Sequence, residues 1–268
     1  MRKMILTIDV GNTNMVFALY EEEQLLGSFR LRTTSDVTSD EIGIMASEYF
    51  HRFGYDPMGL EGVVIASVVP HIMYSLTSAV IKYFGCQPII VDDDVDPGLH
   101  YEGEERLGAD RSTAIVAAVR KYGTPLLVMD FGTATTIDAV DREGSYLGGI
   151  INTGLRVSMN ALTGNAALLP TVELAMPEKF VTTNTVMQIQ AGVVGSYVGG
   201  IEYMIRQIKK ELGWEDQTVR VVATGGLSRM IGEQTDAIDI VDQQLVSDGI
   251  RLMFLKYQEE HPSEETSV

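Results

Sequence analysis

The chain has 268 residues, 45% hydrophobic and 21% charged, enough for one large or two smaller buried cores. That composition excludes a disordered, collagenous or coiled-coil chain. Lys and Arg number 20 against 37 Asp and Glu, and a net charge of −17 repels nucleic-acid backbones and anionic membrane surfaces. The single cysteine, Cys86, excludes an intrachain disulfide and a multi-cysteine metal site. Asp9 interrupts the apolar start too early for a secretory signal, and no apolar run reaches the length of a membrane span, so a cytoplasmic protein is expected.

In chain order, Met4–Ile8 reads as a strand ending at Asp9, and Gly11-Asn12-Thr13-Asn14 as a turn. Met15–Tyr20 returns and Leu25–Leu31 follows, an antiparallel meander. Thr38-Ser39-Asp40-Glu41 is a capping box opening a helix to about Phe53. Val63–Val69 is a buried strand, Pro70 starts a helix ending near Gly85, and Pro88–Val91 is another strand. Asp110 opens an alanine-rich helix, Ser112–Tyr122, closed by Gly123 and Pro125. The first pattern then returns: Leu126–Met129 ends at Asp130, Gly132–Thr136 turns, Ile137–Val140 comes back and Tyr146–Ile151 follows. Thr182–Leu212 reads as one helix or two in sequence, interrupted by Gly192, Gly195, Gly199 and Gly200. Val219–Ala223 is a strand leading into Thr224-Gly225-Gly226, and a last helix runs over about Gln243–Gln258. The polar tail, residues 259–268, reads as disordered.

A shift of 121 positions lays Ile5–Ser28 on Leu126–Gly149 without a gap. Asp9 then falls on Asp130, Gly11 on Gly132, Ala18 on Ala139, Leu26 on Leu147 and Gly27 on Gly148. Two similar α/β halves are expected, each a mixed sheet with helices, divided near Gly123-Thr124-Pro125.

The two turns carry the strongest chemical signal. Each follows a strand ending in Asp and combines Gly with hydroxyl or amide residues. Gly removes the Cβ barrier to close approach, and turned backbone amides bind phosphate oxygens. A carboxylate at the strand end can hold a metal ion, directly or through water. Either turn alone is equally an ordinary hairpin with Asp in its bend; the repeated pair favours a polyphosphate clamp. Gly225-Gly226 after a strand would let a flat base lie against the backbone, although strand-ending glycines are common. Asp110 at a helix start reads either as an N-cap or as a proton acceptor beside the planar fork of Arg111. His51, His71, His100 and His261 show no metal-ligand spacing.

Together these motifs resemble the type III pantothenate kinases, over nearly the whole chain. Asp9-Val10-Gly11-Asn12-Thr13-Asn14, continuing through Met15 and Val16, is similar to the family's first phosphate motif, and Asp130–Thr136 to its second. Ala66–Pro70 is similar to its strand-to-helix segment. Tyr101 with Gly108-Ala109-Asp110-Arg111 resembles its pantothenate-binding region. Asn184-Thr185 and Thr224-Gly225-Gly226 resemble its later substrate and adenosine segments. The resemblance implies two actin-like (ribonuclease-H-like) halves, 1–123 and 124–258, with an ATP cleft between them. It implies ATP-dependent phosphorylation of pantothenate to 4'-phosphopantothenate, the first step towards coenzyme A. Asp110 is implied as the base, and Asp130 as ligand of a monovalent cation, K+ or NH4+. Thr133, Gly225 and Gly226 are implied at ATP, Asp9 near Mg2+, and Tyr101, Gly108, Ala109, Arg111 and Thr185 at pantothenate. A homodimer through the glycine-bearing segment 182–212 is also implied, with Thr185 near a substrate pocket. The sequence departs from the family at Thr153, where Pro is usual, and at Thr182-Thr183, where Gly-Lys is usual. Another kinase or phosphatase of the superfamily and a non-enzymatic regulator are the alternatives. The latter lacks a helix-turn-helix signal or a basic stripe for reading DNA.

Overall fold

The computed structural model describes residues 4–101 and 106–262. By its internal contacts the chain forms two compact units. The first contains β1 (Met4–Val10), β2 (Asn14–Glu21), β3 (Gln24–Arg32), α1 (Ser39–Arg52), β4 (Leu60–Ser67), α2 (Met73–Phe84), β5 (Ile89–Ile90) and the start of α3 (Ala109–Tyr122). Its sheet runs β3-β2-β1-β4-β5, with β1 antiparallel to β2 and parallel to β4. Alternate residues of the central strands, Leu6, Ile8 and Val10 with Met15, Phe17 and Leu19, pack on Ile42, Phe50, Leu76 and Phe84 of α1 and α2. The capping box forms: Thr38 Oγ1 accepts the Glu41 N–H at 3.2 Å and the Glu41 carboxylate accepts the Thr38 N–H at 2.8 Å. Gly85 ends α2 at φ +70°, in the left-handed region that suits glycine.

The second unit contains β6 (Leu126–Phe131), β7 (Ala134–Val140), β8 (Tyr146–Thr153), α4 (Leu155–Asn165), α5 (Thr185–Gln190), α6 (Ser196–Glu211), β9 (Arg220–Thr224), α7 (Ser228–Gly232) and β10 (Ile240–Val241). Its order, β10-β9-β6-β7-β8, is that of the first sheet once equivalent strands are matched. Leu127, Met129, Phe131 and Ile137 pack on Leu155, Met159, Val194, Ile201 and Ile205. A π segment, Ala191–Gly195, joins α5 to α6. Among the described helices none is long and apolar enough to cross a membrane.

Pairing corrects the gapless overlay of the halves. Asp9 lies opposite Val16, but Asp130 lies opposite Thr136, so β2 maps on β7 with a shift of 120 rather than 121. The turn after β1 has three residues and the turn after β6 two. The following turn restores the count, because Leu19 pairs with Gly27 and Ala139 with Gly148. A one-residue slip inverts which side chains face the core, so this difference decides what stands beside each Asp.

The C-terminal helix α8 (Leu245–Glu260) groups with the first unit, not with the half it follows in sequence. It packs on β1 and β4. Tyr20 Oη donates to Asp248 Oδ1 at 2.7 Å, and Phe254 fills the space where a Cβ on Gly62 would stand. Glu259 and Glu260 are helical, so the polar tail begins later than expected; residues 263–268 lie outside the described ones. The helix α4 was not anticipated because only Leu155 and Met159 are buried along it, too few for a legible period.

A Cβ on the buried Gly249 would overlap the carbonyl of Thr113 in α3. Gly249→Ala is therefore expected to destabilise the first unit by about 1–3 kcal/mol through overpacking. Urea unfolding, compared with the exposed Gly164→Ala, checks this.

Candidate active site

In the first unit, Asp9 is half-buried at the end of β1, and Asn12, Thr13 and Asn14 form the exposed crest of the turn. The turn closes through Gly11 N–H to Asn14 O at 3.0 Å. Thr33, just beyond β3, pins it from the side: its hydroxyl donates to Gly11 O at 2.7 Å and its N–H to Thr13 O at 3.0 Å. Val10 and Met15 are fully buried in the core, which leaves only their backbone for a ligand, and Val16 is half-buried.

The segment after β4 joins this turn to the start of α3. Val68 N–H donates to Val10 O at 3.1 Å, and a Cβ on Gly108 would lie 3.3 Å from Val68 Cγ1 and 2.8 Å from Asp110 Oδ1. Glycine at 108 thus clears the space that the Asp110 carboxylate occupies. The helix starts earlier than the sequence suggested: Ser112 N–H bonds to Gly108 O at 3.0 Å, so Gly108 caps it and Asp110 lies in its first turn. Asp110 Oδ1 accepts the Arg111 N–H at 2.7 Å. Burial pushes the Asp110 pKa up, opposed by that N–H and by the Arg111 charge. A desolvated carboxylate at a helix N-terminus is a proton acceptor poised closer to neutrality than an exposed one. The structure therefore brings Asp9–Asn14, Val68 and Gly108–Arg111 to one edge of the first sheet.

The second unit repeats the turn with tighter packing. Gly132 N–H donates to Ala134 O and Gly154 N–H to Thr133 O, both at 3.0 Å. A Cβ on Gly154 would overlap the carbonyls of Gly132 and Thr133, so Gly154 stands where Thr33 stands in the first half but only glycine fits. Gly225, at φ +90°, lies so close that a Cβ would overlap Asp130 Oδ1 and approach Phe131 N to 2.7 Å. Gly132, Thr133 and Gly226 are exposed beside it. Thr136, opposite Asp130, has a buried hydroxyl with no partner. Thr33 was missed by sequence reasoning and Thr136 entered only as the end of the second phosphate motif, because nothing marks a pinning or facing threonine before the register is known. Gly154 follows Thr153, the position where the family usually has Pro, and that departure is the signal that could have singled it out.

Tyr101 stacks edge-on against Tyr146 of β8, at 6.0 Å and 87° between rings. Thr185 opens α5 after the cap Asn184, whose Oδ1 accepts the Met187 N–H at 3.1 Å. It lines an open cavity of about 630 Å3 with Asn152, Ser158, Gln188, Gly192 and Ser196. Among the described residues no three His, Cys, Asp or Glu side chains converge as a metal site. The donor set suits hard cations completed by phosphate oxygens: one carboxylate at Asp9, and at Asp130 a carboxylate facing an unpartnered hydroxyl.

Two five-stranded mixed sheets of equal order, each with a glycine turn after a central strand whose penultimate residue is Asp, give the fold of the actin-like sugar kinases. The profile of the type III pantothenate kinases matches residues 5–207, and the chain belongs to that family. It is thus a phosphotransferase, and the family implies ATP with a divalent metal ion. Solved structures agree on the fold. A candidate 2-dehydro-3-deoxygalactonokinase from Sinorhizobium meliloti superposes with a TM-score of 0.61 at 12% identity, covering 98% of each chain. A candidate Baf family transcriptional activator from Campylobacter jejuni gives 0.56 at 21% identity, covering 96% of this chain and 98% of that one. The ethanolamine utilization protein EutJ from Carboxydothermus hydrogenoformans gives 0.54 at 16%, covering 93% and 89%.

Two outcomes are expected. Gly225→Ala should lower the unfolding temperature in calorimetry, because a side chain there combines positive φ with displacement of Asp130. Gly226→Ala, with open space at its Cβ, should keep the fold. Because the folded pKa of Asp110 is raised, stability falls as pH climbs from the unfolded value of about 3.9 through the folded one. Asp110→Asn should therefore raise the unfolding temperature at neutral pH, and the gain should fade below about pH 4.

Proposed function

We propose that the chain phosphorylates the primary hydroxyl of pantothenate with ATP, giving 4'-phosphopantothenate at the entry to coenzyme A synthesis in the cytoplasm. The observation that carries this reading is Asp110, a half-buried, partly desolvated carboxylate at the start of α3 beside the β1–β2 turn, in a chain of the pantothenate kinase family. Phosphoryl transfer needs positioning and charge stabilisation rather than covalent help from the protein. The hydroxyl oxygen bonds to the γ-phosphorus as the bond to the β-phosphate bridging oxygen breaks. ADP departs, and the hydroxyl proton passes to Asp110. Arg111, Gly108 and Ala109 position the substrate, with Tyr101 and Thr185. Asp9–Val16, Thr133, Gly225 and Gly226 hold the nucleotide.

Asp9 would hold the divalent ion and Asp130 a monovalent cation, K+ or NH4+, and these ions offset the phosphate charge. An acidic chain has few cationic side chains to do so. The test is ADP release with pantothenate, with and without potassium. Asp110→Asn is expected to lose about 100- to 10,000-fold in turnover, and the potassium response is expected to vanish in Asp130→Ala. Pantothenate-independent ADP release, or full turnover in Asp110→Asn, would sink the assignment.

We also infer a homodimer through α5, the π segment and α6, with Thr185 serving the partner's site. Gly192, Gly199 and Gly200 have open space where a Cβ would stand, whereas a Cβ on Gly195 would lie only 2.7 Å from the Phe180 ring. Leu162, Phe180, Val181 and Val186 are exposed in this unit. Gly199→Leu should weaken the dimer in sedimentation and lower activity with it; a fully active monomer at micromolar concentration would refute both claims.

A further inference from the structure

Thr136 carries a buried polar atom that the fold leaves unpaired. The residue is 9% exposed, its Oγ1 is shut off from solvent, and it has no hydrogen-bond partner. Buried hydroxyls in native proteins are seldom left this way, and each such atom calls for a cause.

Strand alternation fixes where it points. The neighbouring Thr135 Oγ1 bonds the Tyr197 hydroxyl of α6 at 2.5 Å, and Ile137 lies in the core beneath the same helices. Thr136 therefore faces the opposite side of the sheet. There it stands directly across from Asp130, with Thr224 of β9 paired to Asp130 on the other flank. Directly opposed residues in adjacent antiparallel strands place their Cβ atoms about 5 Å apart on one face. The Asp130 carboxylate thus lies between two threonines. The Gly225 backbone crowds its Oδ1, and the Gly132-Thr133 turn begins two residues later. The first half is an internal control. The residue opposite Asp9 is Val16, and Ala18 stands where the second half has Asp138, buried at 1% exposure. The shared fold tolerates apolar residues at both places, so the polar pair in the second half is not required by the sheet.

We propose that Thr136 Oγ1 is a ligand of the monovalent cation held at Asp130 and helps to select an ion of potassium's size. The proposal rests on the reading that Asp130 binds such a cation. A carboxylate alone at a strand end leaves most of an ion's hydration shell to water. A neutral hydroxyl oxygen fixed by a β-branched side chain replaces part of that shell at a set distance, as backbone carbonyls do in potassium filters.

Thallium(I), a potassium-sized probe visible by NMR, tests this without turnover. The titration is run on the full chain with a non-hydrolysable ATP analogue, for wild type, Thr136→Val, Thr136→Ser and Asp130→Asn. Thr136→Val is expected to weaken thallium binding by about 10- to 100-fold. In buffer free of small cations its unfolding temperature should rise, because a methyl group replaces an unpaired hydroxyl. Thr136→Ser, which keeps the oxygen, should bind close to wild type. Wild-type thallium affinity in Thr136→Val, with Asp130→Asn abolishing it, would overturn the role of Thr136 alone. Wild-type affinity in Asp130→Asn as well would overturn the cation reading itself. Neither result bears on whether pantothenate is the substrate.

Discussion

A chain of net charge −17 that belongs to a kinase family has to hold a polyphosphate without a general positive field. This constraint organises both edges of the structure. Long-range attraction is unavailable, so positive potential must come from groups that cost no net charge: backbone N–H donors at turns, a helix N-terminus and bound cations. The central strand of each sheet has an Asp as its penultimate residue, followed by such a turn, and the helix that follows β4 and β5 in sequence starts at Gly108-Ala109-Asp110. Each of these features needs backbone very near a carboxylate or carbonyl. Gly108 clears Asp110, Gly225 clears Asp130, and Gly154 clears the second turn. The glycines are therefore spatial requirements of a site built from backbone.

The two halves carry two versions of this arrangement, and they differ in how each turn is held. The first turn has one residue more and is pinned by the Thr33 side chain; the second is shorter and is pinned by backbone alone through Gly154. Shortening a turn by one residue shifts the return strand by one position against its neighbour. Had nothing compensated, the third strand would have turned its core face outward. The chain between the paired Ala139 and Gly148 is one residue longer than that between the paired Leu19 and Gly27, which restores the register of the third strand. The slip is thus confined to β7, where it sets Thr136 rather than the next apolar residue opposite Asp130.

Much of this was legible from the residues. Period-two alternation located the meanders, Thr38 to Glu41 located the start of α1, and Gly85 located the end of α2. The recurrence of Asp-x-Gly after a strand located both turns. Other features depend on contacts between distant residues and leave no local trace. The sequence shift of 121 matched more identities than the true pairing does, because Ala139 aligns with Ala18 by type while it pairs as Leu19 does. Asp110 looked like an N-cap, yet the carbonyl that accepts the first helical bond belongs to Gly108. The grouping of α8 with the first unit is set by Tyr20, Gly62 and Thr113, far from it in sequence. The π segment within 182–212 is likewise invisible to a helical count. It changes which glycines share a face, so that Gly195 meets Phe180 while Gly192 and Gly199 stay open.

Two groups near the turns oppose folding as they stand: the desolvated Asp110 carboxylate and the unpaired Thr136 hydroxyl. A sheet and helix of this kind do not require either one, since asparagine and valine would occupy the same volumes without the penalty. Their unfavourable states share a physical logic. Burial makes the ionised Asp110 carboxylate a stronger proton acceptor than an exposed one, and the Thr136 hydroxyl has lone pairs that nothing in the fold satisfies. On the proposed function, the missing partner in both cases is a component of the reaction. Removing water in advance is what makes each interaction strong when that partner binds. On the proposed function, stability withheld from the empty protein at these two groups reappears as binding or catalysis.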